Sequence, residues 1–230
     1  MTSLRLSGIT ACVFDAYGTL FDFTSAAAQE KSALGDQWLA LSDLWRTKQL
    51  QYTWLRSLMG KHADFWQVTG DALDFAMTSL KIEDPALRDR LMSLYLKLCA
   101  YPEVKDTLTQ LKAHGMKLAV LSNGEPKMLK TAIENAGIAG LLDAVLSAEE
   151  VGIYKPHPNV YRLATDRFGV KANQICFVSS NAWDAHAAKA FGFRVVWCNR
   201  FGQAPEHIPS PSDGEITTLA SLPAIVAKVY

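Results

Sequence analysis

Short apolar runs that each stop at a small or polar residue constrain this chain more than any other feature. They are Ile9–Asp15, Lys117–Ser122, Ala144–Ser147, Ile175–Ser179 and Arg194–Cys198. Runs of this length, rich in branched and aromatic residues, suit strands buried on both faces. Helical periodicity lies between most of them: Glu103–His114 stops at Gly115, Pro126–Ala136 at Gly137, and Asn159–Phe168 at Gly169. A glycine just past a helix supplies the left-handed cap without steric cost. Strands alternating with helices predict an α/β fold, a doubly wound Rossmann-like parallel sheet covered on both faces.

From about Phe23 to Leu98 the rhythm breaks, and only helical periodicity remains. The stretch "WLALSDLWRTKQLQYTWLRSLM" is aromatic-rich, and "ALRDRLMSLYLKL" places apolar residues three and four apart. We therefore expect an inserted α-helical cap domain at 23–98, with 1–22 and 99–230 forming the α/β core. An insert at that point overhangs the carboxyl ends of the strands, where open α/β sheets bind ligands. Residues 205–214, "PEHIPSPSDG", read as a surface loop.

Charge excludes some partners. Lys and Arg together equal Asp and Glu, 23 against 23, which lacks the basic excess of a nucleic-acid-binding protein. No stretch approaches membrane-spanning length, and "MTSLRLSGIT" has no long apolar run of a secretory leader. Cys12, Cys99, Cys176 and Cys198 form neither a CxxC pair nor a zinc spacing, and are expected to be small core residues. A cytoplasmic, reduced protein is the expectation.

Polar residues collect where the strands stop. Asp15 ends the first run, Ser122, Asn123 and Gly124 follow the second, Lys155 precedes Pro156, and Ser179, Ser180, Asn181 and Asp184 follow "ICFV". Each alone is an ordinary turn, cap or surface residue. In a doubly wound sheet these distant segments converge on one crevice, so their joint occurrence points to an active site.

The order "DAYGT", "SNG", "YKP" and "SSNAWD" resembles the haloacid dehalogenase superfamily over the whole chain. The resemblance implies a strand-end aspartate acting as covalent nucleophile, with a helical cap inserted after it. Most members transfer phosphoryl groups, which calls for Mg²⁺ and more than one carboxylate. Their D-x-D pattern has Tyr17 at its second acid here, and Ser180 stands where the G-D-x-x-x-D pattern has its first. An acid catalyst and a metal ligand are missing together, so we expect no metal and no other cofactor. A carboxylate can instead displace a good leaving group from carbon.

The segments "FDAYGTLFD", "SDLWR", "VLSNG", "YKPHPNVY" and "VSSNAWDAHAAKAFGF" resemble the L-2-haloacid dehalogenase family. That resemblance implies hydrolysis of a 2-haloalkanoic acid to a 2-hydroxy acid and halide. Asp15 would attack the halogen-bearing carbon with inversion, and water would then cleave the Asp15 ester. Thr19 would orient Asp15, and Lys155 would set positive charge beside it. Ser122 and the backbone N–H groups near Ala16 and Tyr17 would take the substrate carboxylate. Arg46, Asn123 and Trp183 would receive the halide. Ser179, Asn181 and Asp184 would place and activate water. Tyr161 matches a further family active-site position, and Tyr17, Leu50, Phe65 and Trp183 would form an apolar wall.

Thr47 stands where the family often has glutamine, which bears on pocket size. Asp22 reads as a residue leading into a helix. The family is also expected to form homodimers. Two rival readings stay open on the residues alone: a metal-dependent phosphatase of the same fold, and a catalytically silent binding protein.

Overall fold

The structure is a computed structural model that describes residues 4–226. It contains strands β1 (Ala11–Phe14), β2 (Lys117–Ser122), β3 (Ala144–Ser147), β4 (Ile175–Ser179), β5 (Arg194–Cys198) and β6 (Gly214–Ile216). All pair in parallel in the order β3-β2-β1-β4-β5-β6. Every residue of β1 and β4 is buried. Burial on both faces is why these strands read as unbroken apolar runs rather than as alternating ones. The chain starts at the centre, builds outward through β2 and β3, then crosses back to β4. The resulting switch point lies between β1 and β4, and a crevice opens there at the carboxyl ends of the strands. Phe14 is in register with both Val120 and Val178, so Asp15 emerges at that crevice.

The segment between β1 and β2 is helical. It holds α1 (Ser25–Gln29), α2 (Lys31–Leu34), α3 (Trp38–Met59), α4 (Phe65–Ser79) and α5 (Pro85–Tyr95). Helix α3 buries Leu41, Ser42, Trp45, Gln49 and Thr53, spaced so as to form one stripe, and packs along α4. Asp64 caps α4 by accepting the Gln67 N–H at 2.7 Å, and Glu149 from the core accepts the Phe65 N–H at 2.9 Å. Asp84 caps α5 in the same way, with Pro85 in its first turn.

The helical insert leaves and rejoins the core through paired backbone. The Asp22 N–H donates to Cys99 O (2.8 Å), the Tyr101 N–H donates to Leu20 O (3.0 Å), and Phe21 bridges antiparallel to Ala100. Asp22 does lead into a helix: its Oδ1 accepts both the N–H and the hydroxyl of Thr24, next to α1.

The remaining helices are α6 (Val104–Ala113), α7 (Pro126–Asn135), α8 (Pro158–Phe168), α9 (Ala182–Phe191) and α10 (Leu222–Val226). Gly115, Gly137 and Gly169, expected as helix stops, all have positive φ. The α/β sheet and the helical insert are as the sequence predicts, with two corrections. Gly214 opens the edge strand β6 rather than closing a loop; three residues starting at a glycine carry no readable strand pattern. Cys12, Cys176 and Cys198 are buried as expected, but Cys99 is exposed, because it lies on the backbone passage out of the insert. No helix among the described residues is long and apolar enough to cross a membrane.

Candidate active site

Asp15 follows β1 and is 6% exposed. Its backbone is tied to β4, the Asp15 N–H donating to Val178 O at 3.0 Å. Both carboxylate oxygens are held. Oδ1 accepts the Lys155 ammonium at 3.1 Å, while Oδ2 accepts the Thr19 hydroxyl at 3.2 Å and the Asn181 amide at 2.8 Å. Thr19 is fixed in turn, since its Oγ1 accepts the Ser180 N–H at 2.8 Å. Its carbonyl accepts Arg200 Nη2 at 2.9 Å, and the Arg200 guanidinium also stacks on Tyr101. Groups from the ends of β1, β4 and β5 thus clamp one short loop.

Lys155 is fully buried between two acids, with Nζ also 2.8 Å from Asp184 Oδ2 and 5.0 Å above the Phe177 ring. It follows Tyr154 and precedes Pro156 through a cis peptide, and its own N–H donates to Asn123 Oδ1 at 2.9 Å. Burial alone would push the ammonium down. The carboxylates of Asp15 and Asp184 outweigh it and hold the group above the ordinary lysine value.

Asp184, in the first turn of α9, is fully buried and accepts the Tyr161 hydroxyl at 2.7 Å through Oδ1. Burial raises its pKa against the lowering pull of Lys155, and the nearby Asp15 charge adds to the rise. The Tyr161 phenol is pushed well up by burial and then by Asp184, so it serves as a donor. The Ser179 hydroxyl accepts the Asn181 N–H at 3.1 Å and so sets the turn that aims Asn181 at Asp15.

The insert supplies the roof. Arg46 of α3 donates from Nη2 to Asn181 Oδ1 at 3.3 Å and lies 5.1 Å over the Phe23 ring. Tyr17 stacks between Phe65 and Tyr95 at centroid distances of 5.5 and 5.6 Å. Burial, then the Tyr95 phenol, raises the Tyr17 pKa well above its ordinary value, so this face stays uncharged. The glycine of "SNG" is needed for a close approach. A Cβ on Gly124 would sit 2.8 Å from Tyr17 Cε2 and 3.0 Å from Leu129 Cδ2.

This constellation coincides with a family match. A protein-family model described as a haloacid dehalogenase-like hydrolase matches residues 9–192, which include Asp15, Arg46, Lys155 and Asp184. The chain belongs to that family.

Within the haloacid dehalogenase-like hydrolases, the chain is 46% identical to (S)-2-haloacid dehalogenase 4A of Burkholderia cepacia, over 97% of each chain. A solved dehalogenase with an intermediate complex superposes with a TM-score of 0.95 at 46% identity, covering 97% of this chain and 100% of that one. The L-2-haloacid dehalogenase of Xanthobacter autotrophicus, solved with chloropropionic acid covalently bound, gives a TM-score of 0.88 at 36% identity, covering 94% and 97%.

The structure brings together Asp15, Thr19, Arg46, Lys155, Tyr161, Ser179, Asn181 and Asp184 in one hydrogen-bonded set. Ala16 and Tyr17 follow Asp15 directly. Among the described residues, their N–H groups donate to no protein acceptor. Ser122 is buried with its hydroxyl accepting the Gly124 N–H, and Asn123 reaches the set through Lys155. Phe65 is buried against Tyr17, and Leu50 is half-buried one turn beyond Arg46 on α3. Trp183 packs edge-on against Trp54 of α3, with centroids 5.4 Å apart, and lines a separate apolar cavity of about 570 Å³. Thr47 is exposed on α3.

Sequence reasoning passed over Gln49, Thr69 and Tyr95, which form a buried polar cluster behind Arg46. A signal for Gln49 exists: it falls on the same stripe of α3 as Ser42, Trp45 and Thr53. Arg200 was passed over as well, and nothing in its surroundings in the sequence marks it. Among the described residues, no group of three or more His, Cys, Asp or Glu side chains is placed to hold a metal ion.

Proposed function

We propose that this chain hydrolyses short L-2-haloalkanoic acids to D-2-hydroxy acids and halide, through an ester on Asp15 and without a metal. The observation that carries this reading is the buried ammonium of Lys155 set between Asp15 Oδ1 and Asp184 Oδ2. Positive charge sits between these two acids, and the positions where a phosphatase has its further acids for Mg²⁺ hold Tyr17 and Ser180 instead. The chemistry left to Asp15 is displacement at carbon, where no phosphoryl charge has to be neutralised.

Asp15 Oδ1 has one donor and Oδ2 has two, so Oδ1 keeps the lone pair for attack on C2. The carbon–halogen bond breaks as the ester forms, and the halide leaves toward Arg46 and Asn123. The substrate carboxylate is received by Ser122 and the N–H groups of Ala16 and Tyr17. Tyr17, Phe65 and Leu50 keep bulk water from this step.

Water oriented by Asn181 then attacks the Asp15 carboxyl carbon. Asp184, made more basic by its burial, takes the water's proton and returns it to the alcohol oxygen as the ester collapses. Only the first step touches the stereocentre, hence a single inversion. The relative from Xanthobacter autotrophicus, with chloropropionic acid covalently bound, supports a covalent route.

Halide release from both enantiomers of 2-chloropropionate, with and without EDTA, tests the reading. The expected result is turnover of the L form, indifferent to EDTA. Phosphate-ester hydrolysis that needs Mg²⁺ would overturn it. Single turnover in ¹⁸O water should label Asp15 before product, and Asp15→Asn should lose turnover; label found directly in product would exclude the ester.

A further inference from the structure

Gln49 is a neutral amide with 1% exposure in the middle of a helix. Burying an amide is unfavourable unless its donors and acceptor all find partners. Here they do. Oε1 accepts Arg46 Nη1 at 2.7 Å, Nε2 donates to Thr69 Oγ1 at 2.8 Å, and the Tyr95 hydroxyl lies 3.1 Å from Nε2 and 3.2 Å from Oε1.

The direction of that amide is dictated twice. A guanidinium has donors only, so it needs the oxygen. The Thr69 hydroxyl proton is committed to Phe65 O at 2.6 Å, which leaves Thr69 only lone pairs to offer and calls for the NH₂. The two demands agree. Thr69 is itself pinned, its carbonyl accepting Trp45 Nε1 at 2.8 Å.

On the other side, Arg46 Nη2 meets Asn181, whose amide meets Asp15 Oδ2. A cavity of about 10 Å³ beside Arg46, bounded by Phe23, Ser42, Trp45 and Tyr95, has room for about one water. It gives an untethered guanidinium space to tilt away from Asn181.

We infer that Gln49 is the positioning residue for Arg46, and that Thr69 sets the sense in which Gln49 faces it. The inference rests on the proposed reaction, in which Arg46 stands on the halide side. Gln49 touches no reacting atom and acts through the guanidinium alone. Its loss is therefore felt in halide departure, and more strongly where the leaving group is poorer.

The test uses the full chain with Gln49→Met, Thr69→Val and Thr69→Ser, assayed on chloroacetate and bromoacetate. Gln49→Met should lower kcat by roughly 10- to 100-fold, the range for losing a hydrogen bond to a charged group, with KM nearly unchanged. The loss should be larger on chloroacetate than on bromoacetate. Thr69→Val should shift both substrates in the same sense, whereas Thr69→Ser keeps the hydroxyl and should stay within about twofold of the parent.

A crystal structure of Gln49→Met should show Arg46 turned away from Asn181. Equal losses on the two substrates, or Arg46 unmoved opposite Met, would overturn the inference. If Gln49→Met does not fold, Thr69→Val decides, through the same substrate comparison and its own crystal structure. Failure of the parent chain to release halide from either acid would sink the proposed reaction instead, and the position of Arg46 in the variant would still judge the tether.

Discussion

Lys155→Met removes the one cation held between two buried acids and leaves a side chain of similar length. Nζ lies 3.1 Å from Asp15 and 2.8 Å from Asp184, with side-chain exposures of 1%, 9% and 0% for Lys155, Asp15 and Asp184. At an effective dielectric of about 20, each contact is worth about 5 to 6 kcal/mol before desolvation of the ammonium is subtracted. The variant has an escape that limits the damage, because one carboxyl can stay protonated. Holding an aspartate protonated at pH 7, about three units above its ordinary pKa, costs about 4 kcal/mol. That agrees with the roughly 3 to 5 kcal/mol seen when one partner of a buried pair is removed.

The sign with pH follows. Burial already raises the Asp184 pKa, and without Lys155 the rise goes further. A raised folded-state pKa gives stability that is complete below the unfolded pKa and is lost as pH rises through the folded one. The deficit should therefore be about 4 kcal/mol at pH 7 and shrink by about 1.4 kcal/mol per unit toward pH 5. Urea unfolding of parent and variant at pH 5, 6 and 7 reads this directly. A second variant that also carries Asp184→Asn should recover most of the stability and lose the pH dependence. A deficit that stays constant with pH, or no deficit at pH 7, would refute the reasoning.

Gly124→Ala should cost about 1 to 3 kcal/mol in thermal unfolding and lower turnover, because the new methyl meets the Tyr17 ring and Leu129; an unchanged midpoint would show that the ring yields freely. Asp184→Asn leaves the buried Lys155 with Asp15 as its one acid, so calorimetry should show a loss of stability, softened because burial already opposes the Asp184 charge, while kcat falls at least 100-fold; retained turnover would remove Asp184 from the water step. With Lys155 held above its ordinary value of 10.5, kcat/KM should show no lysine limb in the alkaline range below about pH 10, and its ion-pair stability should fade only above that value. A limb near pH 8 that disappears in Lys155→Met would contradict the geometry.

How much was legible depended on what each residue's neighbours share. Strands β1, β2, β4 and β5 could be read because burial on both faces forces an apolar run, and Asp15 stood out as the polar stop to one of them. Edge strand β6 has three residues and nothing comparable. Lys155 in "YKP" has the look of a surface residue; only the other strand ends gave it meaning, since its partners lie 140 and 29 residues away. Gln49 sits between Lys48 and Leu50 in the largely polar run 46–51, so composition hid it even though helical spacing placed it beside Trp45 and Thr53. Arg200 was unreadable for a different reason, since its partners are a backbone carbonyl at Thr19, a ring at Tyr101 and the carboxylate of Glu103, all distant in the sequence.

The pairing of Phe21 with Ala100 has a consequence for engineering. Residues bridged across antiparallel backbone lie about 5 Å apart, so the two attachment points of the helical segment nearly meet. A replacement whose own ends meet at that spacing can be joined there, provided that it also supplies partners for Tyr154, whose N–H and hydroxyl are held by Ser57 and Ala63 of the insert next to Lys155. The core then behaves as a reusable socket. A graft that keeps the core's nucleophile but brings no counterpart of Arg46 would separate ester formation from leaving-group assistance within a single polypeptide.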